Sequence, residues 1–218
     1  MNYSEALSFI FQDKDWLKKI ALGGLLVFIA AFTGIFFFVG FFAMGYYVRV
    51  LRHVVNGEEK ILTDWKDWGN LFAEGLMAAI VSLVYFLIIG GLCAFVIVNI
   101  ATAHGLAGIE KGIAITSVAI LTFLGLIILI NASLTLFVKT NDFASAFSPS
   151  AISNLLKNNF SNYLTIAIFT SILGAILFLA GMGIFSPFTN FWGLMVQAHL
   201  FGQCAKETDK SAATVQSA

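Results

Sequence analysis

Four stretches of the chain carry no Asp, Glu, Lys or Arg: Ile20 to Val48, Gly75 to Ile109, Gly112 to Val138 and Asn158 to Ala205, of 29, 35, 27 and 48 residues. A helix that crosses the ~30 Å hydrocarbon core of a bilayer needs about 20 apolar residues. Each stretch is therefore long enough to cross once, and the last long enough to cross twice. Pro187 divides that last run. It follows Gly181, Gly183 and Ser186, a cluster that suits the end of one helix and the proline-tolerant first turn of the next. The pattern predicts helices over Leu76 to Ile100, Ile113 to Val138, Phe160 to Met182 and Pro187 to Gln203.

The first run fits either one long tilted helix or a pair of short helices turning near Thr33 and Gly34. Basic residues discriminate, because loops on the cytoplasmic side of a membrane are enriched in Lys and Arg. A single crossing leaves Lys14, Lys18, Lys19 and Lys111 on one side and the other eight basic residues opposite them. A pair puts eleven on one side and leaves Lys111 alone on the other. The expectation is thus an all-α, polytopic bundle of six membrane helices, the first two a short or re-entrant hairpin, with both termini cytoplasmic. Arms of about 15 residues reach only ~22 Å, so they extend toward Trp16 and His53, with Lys18, Lys19 and Arg49 snorkelling to the surface.

A stripe of apolar residues at helical spacing precedes each pair: Tyr3, Leu7, Ile10 and Phe11; Ile61, Leu62, Trp65, Trp68 and Phe72; Phe147, Ala151, Leu155 and Leu156. Stripes of this kind predict amphipathic helices lying in the membrane interface. Ser148 and Pro149 offer an N-cap and first-turn proline to the third. Surface helix, hairpin and basic terminus then recur three times, a pattern of repetition without residue identity. Trp16, Trp65 and Trp68, with Arg49 and Arg52, stand where apolar runs meet polar sequence. Interfacial anchoring explains the tryptophans better than ligand stacking does.

Composition agrees with this reading. Of 218 residues, 59% are hydrophobic and 11% charged, against about 25% charged in soluble domains, and mean hydropathy is +0.91. Residues 1–205 read as a single integral-membrane helical domain and 206–218 as a polar C-terminal tail. Twelve basic residues balance twelve acidic ones, so no basic field exists to attract nucleic acid. Glu5, Asp13 and Asp15 precede any apolar stretch, which does not fit a cleaved signal peptide; the first membrane segment is expected to act as its own insertion signal. Cys93 and Cys204 lie in apolar runs and read as small hydrophobes.

The stretch Asp13-Lys14-Asp15-Trp16-Leu17-Lys18-Lys19-Ile20 running into Gly23-Gly24, then Gly45-Tyr46-Tyr47 with Arg49, then Asp64-Trp65-Lys66-Asp67-Trp68-Gly69-Asn70-Leu71-Phe72 and Gly75, resembles a prokaryotic family of multi-pass membrane proteins, domain of unknown function number forty-thirteen. The resemblance covers most of the chain and is most specific in the two tryptophan segments. Leu62-Thr63 departs from it, where a proline is expected. The resemblance implies a prokaryotic cell membrane as the location and carries no assigned activity, so it transfers no catalytic residues.

Catalytic and metal-binding patterns are not visible: no HExxH, CxxC or Walker-type loop occurs, and His53, His104 and His199 are scattered. The reading leans away from an enzyme and implies no cofactor. Polar residues within the apolar runs include Asn99, Asn131, Ser133, Gln197, His199 and Gln203. Amides there usually join helices together, with a substrate path as the alternative. His199 and Gln203, four apart, share a face on which a groove or partner helix fits, and Gln197 points elsewhere. Ala30 and Gly34 match the small-xxx-small association motif. The expected partners are membrane lipids, with a second copy or another membrane protein permitted. The expected role is that of an accessory, scaffold or lipid-associated subunit; the alternative is a transporter or pore for a neutral or lipid-like solute.

Overall fold

A computed structural model describes residues 1–33, 37–105 and 107–216. The turn expected near Thr33 and Gly34 falls largely on 34–36, outside the described residues, as does the Gly34 half of the Ala30/Gly34 motif. Among the described residues the chain forms eight α-helices: α1 Tyr3–Ser8, α2 Trp16–Thr33, α3 Gly40–Asn56, α4 Trp68–Tyr85, α5 Gly91–Thr102, α6 Gly108–Thr140, α7 Pro149–Ala180 and α8 Ser186–Gln216. A π-helical turn, Phe86–Gly90, joins α4 to α5 without a break. The polar residues from Lys206 continue α8 as far as Gln216.

Long uncharged runs become helices because nothing in them competes for the backbone, and the chain turns where glycine, proline and short polar side chains collect. Ser148 caps α7, its hydroxyl accepting from the Ala151 amide at 3.4 Å, with Pro149 in the first turn. Gly57, at φ 72°, ends α3 in the left-handed conformation, its amide donating to the Val54 carbonyl at 3.1 Å, a geometry that glycine adopts without a Cβ penalty.

The first uncharged run folds back on itself. Space for a Cβ on Gly40 lies 3.3 Å from the Ala30 methyl near one end of the pair. Near the other end Trp65 donates its indole N–H to the Lys19 carbonyl at 3.0 Å and stacks on Tyr46 with ring centroids 4.4 Å apart. The arms run from Trp16 and to Asn56, ~26 Å each at 1.5 Å per residue.

α8 is the central element. It touches α1, α2, α3, α6 and α7 and buries Phe191, Met195, Val196, Ala198, Leu200, Phe201, Cys204 and Ala205. Glycines set the closest approaches. A Cβ on Gly45 would overlap the Leu71 carbonyl and one on Gly75 that of Phe41, so α3 and α4 cross backbone to backbone; Gly23 and Gly24 likewise leave room for Phe191 and Phe188 of α8.

Among the described residues three segments are long and apolar enough to cross a membrane: Trp68–Thr102, Gly108–Thr140 and Phe160–Ala180. The more polar α8 is not among them. α8 carries Asn190, Gln197, His199 and Gln203 and is wrapped by its neighbours. α5 buries no residue, and α6 is its only helical neighbour among the described residues. Leu83, Phe86, Leu87, Leu92, Phe95, Ile113, Leu121 and Phe123 of the α4–α6 arm all stand exposed.

The apolar stripe at 61–72 does not form the helix that its spacing predicts. From Gly57 to Asp67 the chain is irregular, and α4 begins only at Trp68. Tertiary contacts outweigh the local preference: Leu62 is buried, its carbonyl accepts from Lys19 at 3.3 Å, and the Thr63 carbonyl accepts from the Tyr46 hydroxyl at 2.8 Å. The first stripe forms α1 and a 3-10 turn at Phe9–Gln12. The third passes from a 3-10 turn at Phe143–Phe147 into the opening turns of α7, which then runs unbroken to Ala180.

Candidate functional site

Charge gathers at one end of the bundle. Lys19, at the start of α2, is 5% exposed and bridges Asp13 at 2.7 Å and Asp64 at 2.9 Å. Hydrogen bonds from Lys19 and then Lys60 hold the Asp64 carboxyl well below the usual carboxylate range. Burial works against ionisation of Asp13, but its bonds to the Lys19 ammonium and the Asp15 amide prevail and lower it too. Arg49 reaches Glu74 at 3.1 Å and Asp67 at 3.2 Å, and Arg52 also pairs with Glu74. Trp65 lies between Tyr46 and Trp68, and Trp16 makes an edge contact with Phe11. Lys111 stands apart in the first turn of α6, donating to the Ala101 carbonyl at 3.0 Å.

Above this charged end two spaces open between the helices. A cavity of about 260 Å³ lies among α2, α3, α4, α6 and α8, lined by Val27, Gly40, Ala43, Met44, Tyr47, Ala78, Ser82, Ile130, Asn131, Leu134, Leu194 and Gln197. A cleft of about 570 Å³ lies among α6, α7 and α8, lined by Phe123, Ile127, Thr170, Ser171, Gly174, Ala175, Asn190, Gly193, Leu194 and Gln197. Leu194 and Gln197 belong to both. Neither lining contains a charged side chain.

The depth of the cavity is the same on four helices. Val27, Ser82 and Asn131 each lie eight residues from the charged residue below them, Lys19, Glu74 and Lys139, and Gln197 lies nine from Lys206, ~12–14 Å at 1.5 Å per residue. The Tyr47 hydroxyl donates to the Asn131 amide oxygen, and the Asn131 amide donates to the Ile127 carbonyl at 2.8 Å. A space in this size range with a few convergent polar groups has the general form of a ligand site.

The polar residues singled out by sequence thus separate into three places. Asn131 and Gln197 meet at the cavity. His199 and Gln203 pair with each other at 3.1 Å on another face of α8. There Phe9 stacks on the His199 ring at 4.4 Å, and Gln203 exchanges hydrogen bonds with the Asn2 backbone; the segment they hold is the chain's own N-terminus. Asn99 is exposed on α5 and donates to the Phe95 carbonyl at 2.7 Å, away from both. Tyr47 and Ser82 went unnoticed as cavity residues: Tyr47 reads locally as an interfacial aromatic, and its partner is 84 residues away. Ser133 is buried, its hydroxyl without a partner. Glu110 accepts from the Ala107 amide and caps α6. Cys93 and Cys204 are free thiols. Among the described residues no group of three or more His, Cys, Asp or Glu side chains is placed to hold a metal ion.

The architecture defines an all-α bundle with a mainly apolar interior holding a few polar side chains and outer helices apolar enough to cross a membrane. Residues 22–186 match the family described as protein of unknown function (DUF4013), and the chain belongs to that family. Compared with curated proteins and with solved structures, it matches none. The residues that carried the resemblance are, in this structure, those that seat the first hairpin: Gly23 and Gly24 against α8, Gly45 against Gly75, Trp65 on Tyr46, and Arg49 on Asp67 and Glu74.

Proposed function

We propose that the chain is a multi-pass integral protein of a prokaryotic cell membrane, crossing six times with both termini on the charged, cytoplasmic side, and that it serves as a non-catalytic, lipid-associated accessory or scaffold subunit. One observation carries the reading: the large exposed side chains of three long helical segments are apolar over lengths that reach or exceed a hydrocarbon core, while Lys19, Arg49, Arg52, Lys60, Lys66 and their acidic partners collect at one end. In water this surface would be a large contiguous apolar patch, which soluble monomers avoid. In a bilayer it is solvated by acyl chains. The short α2–α3 arms and the more polar α8 are carried across packed on one another, with α3 and α8 against the apolar helices, so that neighbouring helices satisfy their polar groups. Trp16, Trp65 and Trp68 then stand at headgroup level, and the N-terminal stripe lies along the same interface.

Single-cysteine variants in intact cells and inverted vesicles test the topology. A cysteine at Lys111 is expected to react with an impermeant maleimide from the outside, and cysteines at Glu58 and Lys157 from the inside. All three reacting from one side would refute six crossings. Alkaline carbonate releasing the protein from membranes would refute insertion altogether.

A second reading, a path for a neutral or lipid-like solute, has one observation in its favour: the cavity at ~12–14 Å from the charged end sits near mid-depth of a ~30 Å core, where transporters place their sites. Its test is movement of solute across vesicles containing only this protein; bound solute that does not cross supports the scaffold role.

A further inference from the structure

We propose that the cavity and the α6–α7–α8 cleft form one site for a neutral amphiphile, its hydrocarbon chain lying in the two spaces and a single hydroxyl or carbonyl group held by Gln197. This inference rests on the membrane reading above and adds to it a place and a ligand class.

Three observations converge. The spaces adjoin at α8, where Gln197 and Leu194 line both of them. Every other polar side chain in the two linings is engaged inside the protein. Tyr47 bonds Asn131; Asn131 and Ser82 donate to the Ile127 and Ala78 carbonyls at 2.8 and 2.9 Å. Thr170, Ser171 and Asn190 donate to the Ile166, Ala167 and Ser186 carbonyls at 2.8, 2.6 and 2.8 Å. Gln197 alone makes no hydrogen bond among the described residues. Its amide presents both a donor and an acceptor, and leaving these unmet in apolar surroundings is unfavourable. A hydroxyl or a carbonyl on a ligand relieves that.

The linings also define what the ligand is not. No charged side chain borders either space, so a phosphate, carboxylate or ammonium drawn to Gln197 would be buried without a counter-ion, at prohibitive cost. Gln197 lies nine residues from Lys206, ~13 Å from the charged end at which a phospholipid headgroup stays. What reaches it is uncharged: a long-chain alcohol and a long-chain ester or ketone share the required chemistry.

The test uses the full-length protein in lipid nanodiscs with four photoreactive diazirine probes of equal chain length: a fatty alcohol, a fatty methyl ester, a plain alkane and a trimethylammonium amphiphile. Adducts are mapped by mass spectrometry. The alcohol and the ester are expected to mark cavity and cleft residues on α6 and α8, whichever dominates identifying the source of the polar group. The alkane and the cation are expected to mark them at least about tenfold less, the factor that one hydrogen bond supplies. Gln197→Leu should lower the alcohol adducts there about tenfold and leave those on the outer faces of α4–α6 unchanged. Leu194→Trp, which fills the shared space, should remove cavity adducts of every probe. Equal cavity labelling by alkane and alcohol, or no loss in Gln197→Leu, overturns the proposal, as do adducts confined to the outer faces. Absence of adducts on 68–140 as well would overturn the membrane reading with it.

Discussion

Single atoms decide the α3–α4 crossing. Because a Cβ on Gly75 would meet the Phe41 carbonyl, backbone against backbone, no rotamer relieves the clash. Gly75→Val is expected to destabilise the fold by about 3 kcal/mol, seen as a lower unfolding temperature in detergent. Gly91→Ala, with nothing near its Cβ position, should be neutral or slightly stabilising. Lys19 is decisive in another way. Lys19→Met strands the Asp13 carboxylate in a largely buried place, and with Asp64 more exposed the expected loss is about 2–3 kcal/mol. Asp13 and Asp64 are both held below their ordinary values. Their stabilisation is therefore present in full above the unfolded carboxylate value near pH ~4 and is lost as pH falls through the lower folded values. An unfolding-temperature series from pH 7 to pH 3 should steepen below about pH 4 in the native chain and be flatter in Lys19→Met; equal slopes would show that Lys19 does not hold these carboxylates.

The way helices pair is testable by chemistry. Gly40 and Ala30 face each other with Cβ positions 3.3 Å apart, close to the separation that a disulfide spans. Ala30→Cys/Gly40→Cys, with Cys93 and Cys204 replaced by Ser, is expected to close an intramolecular disulfide under mild oxidation, read as resistance to thiol labelling in the non-reduced protein. Full labelling would mean that the first uncharged run does not fold back. Much of this level was legible beforehand: absence of charge marked where helices lie, the Gly181–Pro187 cluster marked the α7–α8 break, and the distribution of lysine and arginine distinguished a returning pair from a single rod. The segment from 57 to 67 was not legible. Its stripe has helical spacing, yet Trp65 and Leu62 are claimed by Tyr46, Lys19 and the core, and no periodicity encodes a contact that arrives from another part of the chain.

At the level of the whole molecule, helical spacing already set His199 and Gln203 on one face and Gln197 on another, but not what each face meets. Gln197, His199 and Gln203 share one helix, and only its central position, surrounded by five others, sends the first to the cavity and the other two to the N-terminus. That docking has a measurable effect: Gln203→Ala removes two bonds to Asn2 and should speed amide exchange across residues 2–12 while leaving α3 and α4 protected. The α4–α6 arm carries a further consequence. Its helical stretch Trp68–Thr102 has 35 residues, ~50 Å at 1.5 Å per residue, well beyond a ~30 Å hydrocarbon layer, and among the described residues its distal half packs on α6 alone of the other α-helices. On the membrane reading proposed above, a rod longer than the slab that holds it tilts, kinks or thickens the bilayer around it. The inclination of this arm is then expected to follow bilayer thickness, with the compact base as its pivot.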